Sequence, residues 1–160
     1  MALVETLLGL FGRAPRAVAV GDPAPDFTLP DSEGRPVNLR SEVAKGPVIL
    51  AFYPEAFTSG CTHELRTYAG RYEELITRGA QLLAISVDDP QTLARFRTSL
   101  AARFAFLSDR DGKVARLYGG VGSTGKARRM TVTVAADGRI SRITAGALAI
   151  FPGGDIAACP

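Results

Sequence analysis

Two cysteines, Cys61 and Cys159, are the side chains of this 160-residue chain that most readily become nucleophiles. Cys61 comes shortly after an apolar run, Val48-Ile49-Leu50-Ala51-Phe52-Tyr53, that ends at Pro54, and it opens a segment with helical spacing. A cysteine in the first turn of such a helix meets unpaired backbone N–H groups and the positive end of the helix dipole. Both favour thiolate over thiol, so a nucleophile can be made there without a neighbouring base. Thr58 or Ser59 is available as the helix cap. Position alone leaves a second reading open, in which Cys61 is a small apolar residue packed beneath the helix.

The elements that must hold Cys61 read as an alternating α/β chain. Phe27-Thr28-Leu29 and Pro36-Val37-Asn38-Leu39 flank a turn at Ser32-Glu33-Gly34, a small N-terminal β-hairpin after the turn-rich linker Gly21 to Asp26. Residues 48 to 53 lack polar alternation, which predicts a central strand covered on both faces. Leu65, Tyr68, Ala69, Tyr72, Leu75 and Ile76 fall on one helical face that stops at Gly79, and Gln81 to Val87 is a second buried strand. Strand, helix and strand make a right-handed βαβ unit with parallel strands. Asp88-Asp89-Pro90 starts another helix, with Leu93, Phe96 and Leu100 on one face; a strand at Phe104 to Leu107 and a short helix around Val114 to Tyr118 follow. Met130 to Ala135 and Ile140 to Ala145 close the chain as a hairpin about Asp137-Gly138. The fold class is α/β, a central mixed sheet flanked by helices. Residues 1–20 read as an N-terminal extension containing a short amphipathic helix at 2–11, and residues 21–160 as one domain.

The loop Pro54-Glu55-Ala56-Phe57-Thr58-Ser59-Gly60-Cys61 resembles the active-site loop of the peroxiredoxins (alkyl hydroperoxide reductase and thiol-specific antioxidant family), whose fixed points are a Pro, a Thr four residues on and a Cys three beyond that. Ala24-Pro25-Asp26-Phe27-Thr28-Leu29, Phe52-Tyr53-Pro54 and Cys61-Thr62-His63-Glu64-Leu65 are similar to that family's opening, its approach to the loop and its active-site helix. The similarity is nearest to the bacterioferritin comigratory and one-Cys AhpE-like branches. It implies a thioredoxin-like fold and a peroxidase in which the Cys61 thiolate attacks a hydroperoxide and becomes a sulfenic acid. It further implies that Thr58 directs its hydroxyl at sulfur and peroxide, that Pro54 shields the sulfur, and that the N–H groups of Gly60 and Cys61 hold peroxide oxygens. Alignment on Asp137-Gly138-Arg139-Ile140 places Arg129, rather than the adjacent Arg128, as the arginine that stabilises thiolate and leaving oxygen. Glu64 either orients Arg129 or is a solvated acid near a helix start.

Recycling is less determined. The resolving cysteine common in the bacterioferritin comigratory branch, five positions after the nucleophile, is Arg66 here. Cys159 is the internal candidate for resolution, by a disulfide within the chain or across a dimer, or else an idle thiol on a loose tail. An external thiol such as thioredoxin, glutaredoxin or a low-molecular-weight thiol is the alternative reductant. The same scaffold would also serve a redox sensor or holdase that oxidises once without turnover; Pro54, Thr58 and Arg129 favour the enzyme.

Composition narrows the remaining classes. A net charge of +3, with arginines dispersed among acids, does not indicate a nucleic-acid partner. The apolar N-terminal stretch to Phe11 is interrupted by Glu5 and Gly9, so neither export nor a membrane span is expected. Two distant cysteines fit a reducing, cytoplasmic home. No cofactor or metal is expected: His63 lies two places from Cys61, facing away on a helix, and Glu64 occupies the second position of a Cys-x-x-Cys pair. Gly120 to Lys126 imitates a phosphate loop, but Ala127 lacks the required hydroxyl and the loop runs into a strand. A homodimer is expected from the family resemblance.

Overall fold

The computed structural model describes residues 16–159. The predicted helix at 2–11 lies outside them. Strands β1 (Thr28–Pro30) and β2 (Pro36–Asn38) form the expected antiparallel hairpin, followed by a one-turn helix α1 (Leu39–Val43). The remaining strands are β3 (Val48–Phe52), β4 (Gln81–Ser86), β5 (Ala105–Ser108), β6 (Met130–Val134) and β7 (Ile140–Ala145). They make one sheet in the order β5-β4-β3-β6-β7, with β3, β4 and β5 parallel and β6 and β7 antiparallel to their neighbours.

β3 is buried along its whole length because its alternate side chains feed two separate cores. Ile49, Ala51 and Tyr53 pack with Leu65, Tyr68, Leu93 and Phe96 on one face, while Val48, Leu50 and Phe52 pack with Phe27, Val114 and Tyr118 on the other. Each such large apolar side chain contributes about 1.5–3 kcal/mol on burial. That two-sided burial is why the strand shows no polar alternation, and it fixes β3 as a rigid base for whatever lies at its C-terminal end.

Two helices stand where the apolar periodicity predicts one. α2 spans Ser59–Gly70 and α3 spans Tyr72–Thr77, broken at Arg71, whose φ of −110° and ψ of 15° leave the helical region. Gly70 weakens the helix immediately before the break, and the Arg71 guanidinium bonds Glu74 in the new helix. The break turns Ile76 outward, 46% exposed, so the last residue of the predicted stripe is not core. α4 (Pro90–Ser99) starts as expected, with Asp89 accepting a capping bond from Thr92 N at 2.8 Å. β5 begins one residue later than predicted; Phe104 is nevertheless buried, stacked on Phe106.

α5 (Lys113–Leu117) leads to the glycine-rich connection, which folds back on itself through a Val121–Ala127 bridge and enters β6. After β7 come a 3₁₀ turn (Gly146–Ile150) and a final short helix α6 (Gly153–Ala158). Helix α6 is anchored to β7. Asp155, 2% exposed, accepts bonds from Arg142 Nε at 2.8 Å and Thr144 Oγ1 at 2.7 Å, two residues on one face of β7. Among the described residues no helix is long and apolar enough to cross a membrane.

Candidate active site

The site forms where β3 ends and α2 begins, the position at which α/β sheets collect their functional groups. Pairing of β3 with β4 continues one residue past the strand, Tyr53 N to Ile85 O at 3.0 Å, and the chain then turns away at Pro54. α2 opens at Ser59 with Thr58 in the capping position, φ −75° and ψ 153°. The Thr58 side chain makes no capping bond; its Oγ1 donates to Glu55 O at 3.0 Å. The first intrahelical bond is Thr62 N to Thr58 O, so the N–H groups of Ser59, Gly60 and Cys61 lack helical partners. Of the two predicted caps, Thr58 has the position but does not perform the capping.

Cys61 is fully buried and forms no disulfide. Arg129, just ahead of β6, donates from Nη2 to Cys61 Sγ at 3.2 Å and from Nη1 to Glu64 Oε2. The guanidinium thus spans the first turn of α2, one nitrogen on the sulfur and the other on the carboxylate. Arg128, its neighbour, is exposed, and it is the Arg129 guanidinium that meets the sulfur. Glu64 has no exposed surface and is not a solvated acid. Burial pushes its pKa up to about 7, the Arg129 charge opposing the rise and Asp155 adding to it. Burial works against the Arg129 charge, but the Cys61 sulfur and the Glu64 carboxylate outweigh it and hold the guanidinium above its ordinary value.

Gly60 completes this contact. A Cβ there would lie 3.0 Å from Arg129 Nη2 and 3.8 Å from Ile150 Cδ1, so the absence of a side chain is what admits the guanidinium.

The loop above the sulfur is held from outside the motif. Ala56 N donates to Asp88 Oδ2 at 2.9 Å, and Lys126, the lysine of the phosphate-loop imitation, pairs with Glu55. Phe57 occupies the left-handed region at φ 64°, a cost of about 1–2 kcal/mol for a residue with a Cβ, and its ring packs on Phe96 at 4.9 Å between centroids. Pro54 is half-buried, whereas Phe57, Thr58 and Ser59 are exposed and form the rim. His63 is exposed as expected, edge-on to Phe151 at 5.5 Å.

Cys159 is not on a loose tail. It is 1% exposed at the end of α6, in the same core as Cys61, and Arg78 Nη1 donates to its carbonyl at 3.0 Å. Burial raises its thiol pKa, with Arg78 opposing. Sequence reasoning missed Asp88 and Lys126 as loop contacts. The signal for Asp88 was its place at the C-terminal end of β4, beside β3.

A buried thiol at a helix N-terminus, bound by an arginine and carried on this sheet, defines a thiol-dependent peroxidase of thioredoxin-like fold. The family model for the AhpC/TSA family matches residues 20–143. Peroxiredoxin Bcp of Escherichia coli (strain K12) is 36% identical over 130 residues, covering 77% of this chain and 83% of that protein. Among solved structures, peroxidoxin BcpB of Mycobacterium tuberculosis superposes with a TM-score of 0.81 at 30% identity, covering 86% of this chain and 94% of that one. The bacterioferritin comigratory protein of Xanthomonas campestris, 23% identical with a TM-score of 0.79 over 89% of this chain and 96% of its own, shares the fold. The chain belongs to the AhpC/TSA family, and it is a peroxiredoxin-type oxidoreductase that reduces hydroperoxides with thiol electrons.

Proposed function

We propose that Cys61 is the peroxidatic nucleophile, with Arg129, Thr58 and Pro54 as its catalytic partners and Gly60 and Glu64 in support. The observation that carries this reading is the Arg129 guanidinium bridging the Cys61 sulfur at 3.2 Å and the Glu64 carboxylate. The thiolate attacks the terminal oxygen of ROOH; the S–O bond forms as the O–O bond breaks, and the departing RO⁻ takes up a proton to leave as ROH. Negative charge moves from sulfur to the leaving oxygen, and a fixed guanidinium stabilises it along that path. The N–H groups of Gly60 and Cys61 are free to hold peroxide oxygens. The Thr58 hydroxyl, its proton engaged by Glu55 O, retains lone pairs that accept from the peroxide O–H.

The Cys61 sulfenic acid is reduced by an external thiol: one thiol forms a mixed disulfide and releases water, and a second restores Cys61. Burial of Cys159 and its raised pKa argue against internal resolution. The enzyme acts as a cytoplasmic homodimer, with residues 21–160 as the peroxiredoxin domain and 1–20 as an extension; the family match beginning at residue 20 supports that boundary.

Single-turnover oxidation by hydrogen peroxide, followed by intact mass, tests the assignment. Rapid oxidation that Cys61→Ser abolishes and Cys159→Ser leaves intact, yielding a sulfenic mass and sustained turnover with added thiol, is the expected result. Wild-type oxidation no faster than that of free cysteine overturns it, and a single equivalent consumed without turnover identifies a sensor instead.

A further inference from the structure

Asp88 lies between the end of β4 and the start of α4, outside the resemblance that marks the active-site loop, yet its side chain reaches into that loop. Oδ2 accepts from Ala56 N at 2.9 Å across a sequence separation of 32 residues. The same oxygen accepts from Ser86 Oγ at 2.8 Å, and Ser86 is 1% exposed. Asp88 N donates back to Ser86 Oγ at 3.3 Å, and Ser108 Oγ, itself buried, donates to the Asp88 carbonyl at 2.6 Å. Asp88 is therefore fixed by the ends of two adjacent strands, its carboxylate by Ser86 of β4 and its carbonyl by Ser108 of β5, and the same Oδ2 reaches the loop that follows β3.

The bond it makes falls at the centre of the loop. Ala56 follows Pro54 by two residues and precedes Thr58 by two, and the next residue, Phe57, holds the left-handed conformation that turns the chain toward the helix. Ala56 is buried, so water cannot readily replace the carboxylate as acceptor for its N–H. The other restraints on the loop are weaker. The Lys126–Glu55 pair is exposed at both ends, and Phe57 is 54% exposed despite its contact with Phe96.

We propose that Asp88 is a positioning residue for peroxide reduction, its carboxylate holding the Ala56 N–H so that Pro54 and Thr58 stand at the right distance above Cys61. This rests on the assignment of Cys61 as the peroxidatic cysteine. Asp88 does not touch the reacting atoms. Its effect is on the geometry that distinguishes a peroxide from any other electrophile, because a displacement at oxygen requires the loop donors and acceptors in place while simple alkylation requires only access to sulfur.

The test compares two second-order rates on wild type, Asp88→Ala and Asp88→Asn: single-turnover oxidation by hydrogen peroxide and alkylation by iodoacetamide. Asp88→Ala is expected to lower the peroxide rate at least tenfold while the iodoacetamide rate stays the same or rises, and amide exchange at Ala56 accelerates. Asp88→Asn keeps a side-chain oxygen to accept the N–H and is expected to return the peroxide rate to within about threefold of wild type. A peroxide rate within twofold of wild type in Asp88→Ala overturns the proposal, as do an equal fall in both rates or an Asn variant no better than Ala. Failure of the underlying assignment is read separately, from a wild type that itself oxidises no faster than free cysteine.

Discussion

Replacing Gly60 with alanine separates the arginine contact from everything else that supports Cys61. The new Cβ would sit 3.0 Å from Arg129 Nη2, so the guanidinium must withdraw by roughly 0.4 Å to reach an ordinary contact of 3.4 Å. Taken wholly along the direction from Cys61 Sγ, that withdrawal would stretch the 3.2 Å bond to about 3.6 Å, an upper bound. At an effective dielectric near 20, the attraction between unit charges falls by about 0.6 kcal/mol over that interval. A partial loss of a charge-assisted hydrogen bond, worth about 1.5–3 kcal/mol when whole, brings the total to about 1 kcal/mol or slightly more. That corresponds to a fivefold to tenfold slower oxidation of Cys61. Stability should move the other way or not at all: alanine retains the N–H, and it is favoured over glycine within a helix by up to about 1 kcal/mol. Stopped-flow oxidation by hydrogen peroxide alongside thermal unfolding measures both. A rate within twofold of wild type in a variant of equal or higher Tm would refute the claim that the Arg129–Cys61 contact limits the reaction.

Arg129→Lys should slow oxidation by roughly 10²-fold, since one ammonium cannot span the sulfur and Glu64 as the planar guanidinium does; stopped-flow rates check this. Glu64, raised from 4.5 to about 7, remains protonated in the folded chain where the unfolded chain has ionised, so its contribution to stability falls as pH rises from about 4.5 to 7. The ionised form grips Arg129, so the wild-type oxidation rate should step up near pH 7, and Glu64→Gln should remove that step. Asp155→Asn should move the step to lower pH, because Asp155 is one of the charges that raise Glu64. Asp155→Ala, which strands the bonds from Arg142 and Thr144, should cost about 2 kcal/mol, seen as a lower Tm and faster labelling of Cys159.

Where the active-site loop is concerned, the residues were legible because they are contiguous. Pro54, Thr58 and Cys61 sit within eight positions, and a strand followed by a helix is written in the apolar spacing on either side of them. The double burial of β3, the hairpin at Gly138 and the cap at Asp89 were also local signals, each set by one residue's neighbours or by a positive φ such as the 85° at Gly138. Arg129 required alignment, because nothing in its own surroundings distinguishes it from Arg128.

What tertiary structure alone decided are the contacts between segments far apart in the chain. Asp88 meets Ala56 only because β4 lies beside β3, and Lys126 meets Glu55 only because the glycine-rich connection folds back over the same end of the sheet. The burial of Glu64 depends on what covers α2, and that includes the 3₁₀ turn, some ninety residues later in the sequence. Cys159 likewise reads as a tail residue until Asp155 ties α6 to β7 and closes the core over it. A side chain's type and spacing set which chemistry it can perform and which local element carries it. Its solvation, its partners and therefore its charge state are properties of the packed molecule, because they depend on which distant groups displace water from around it.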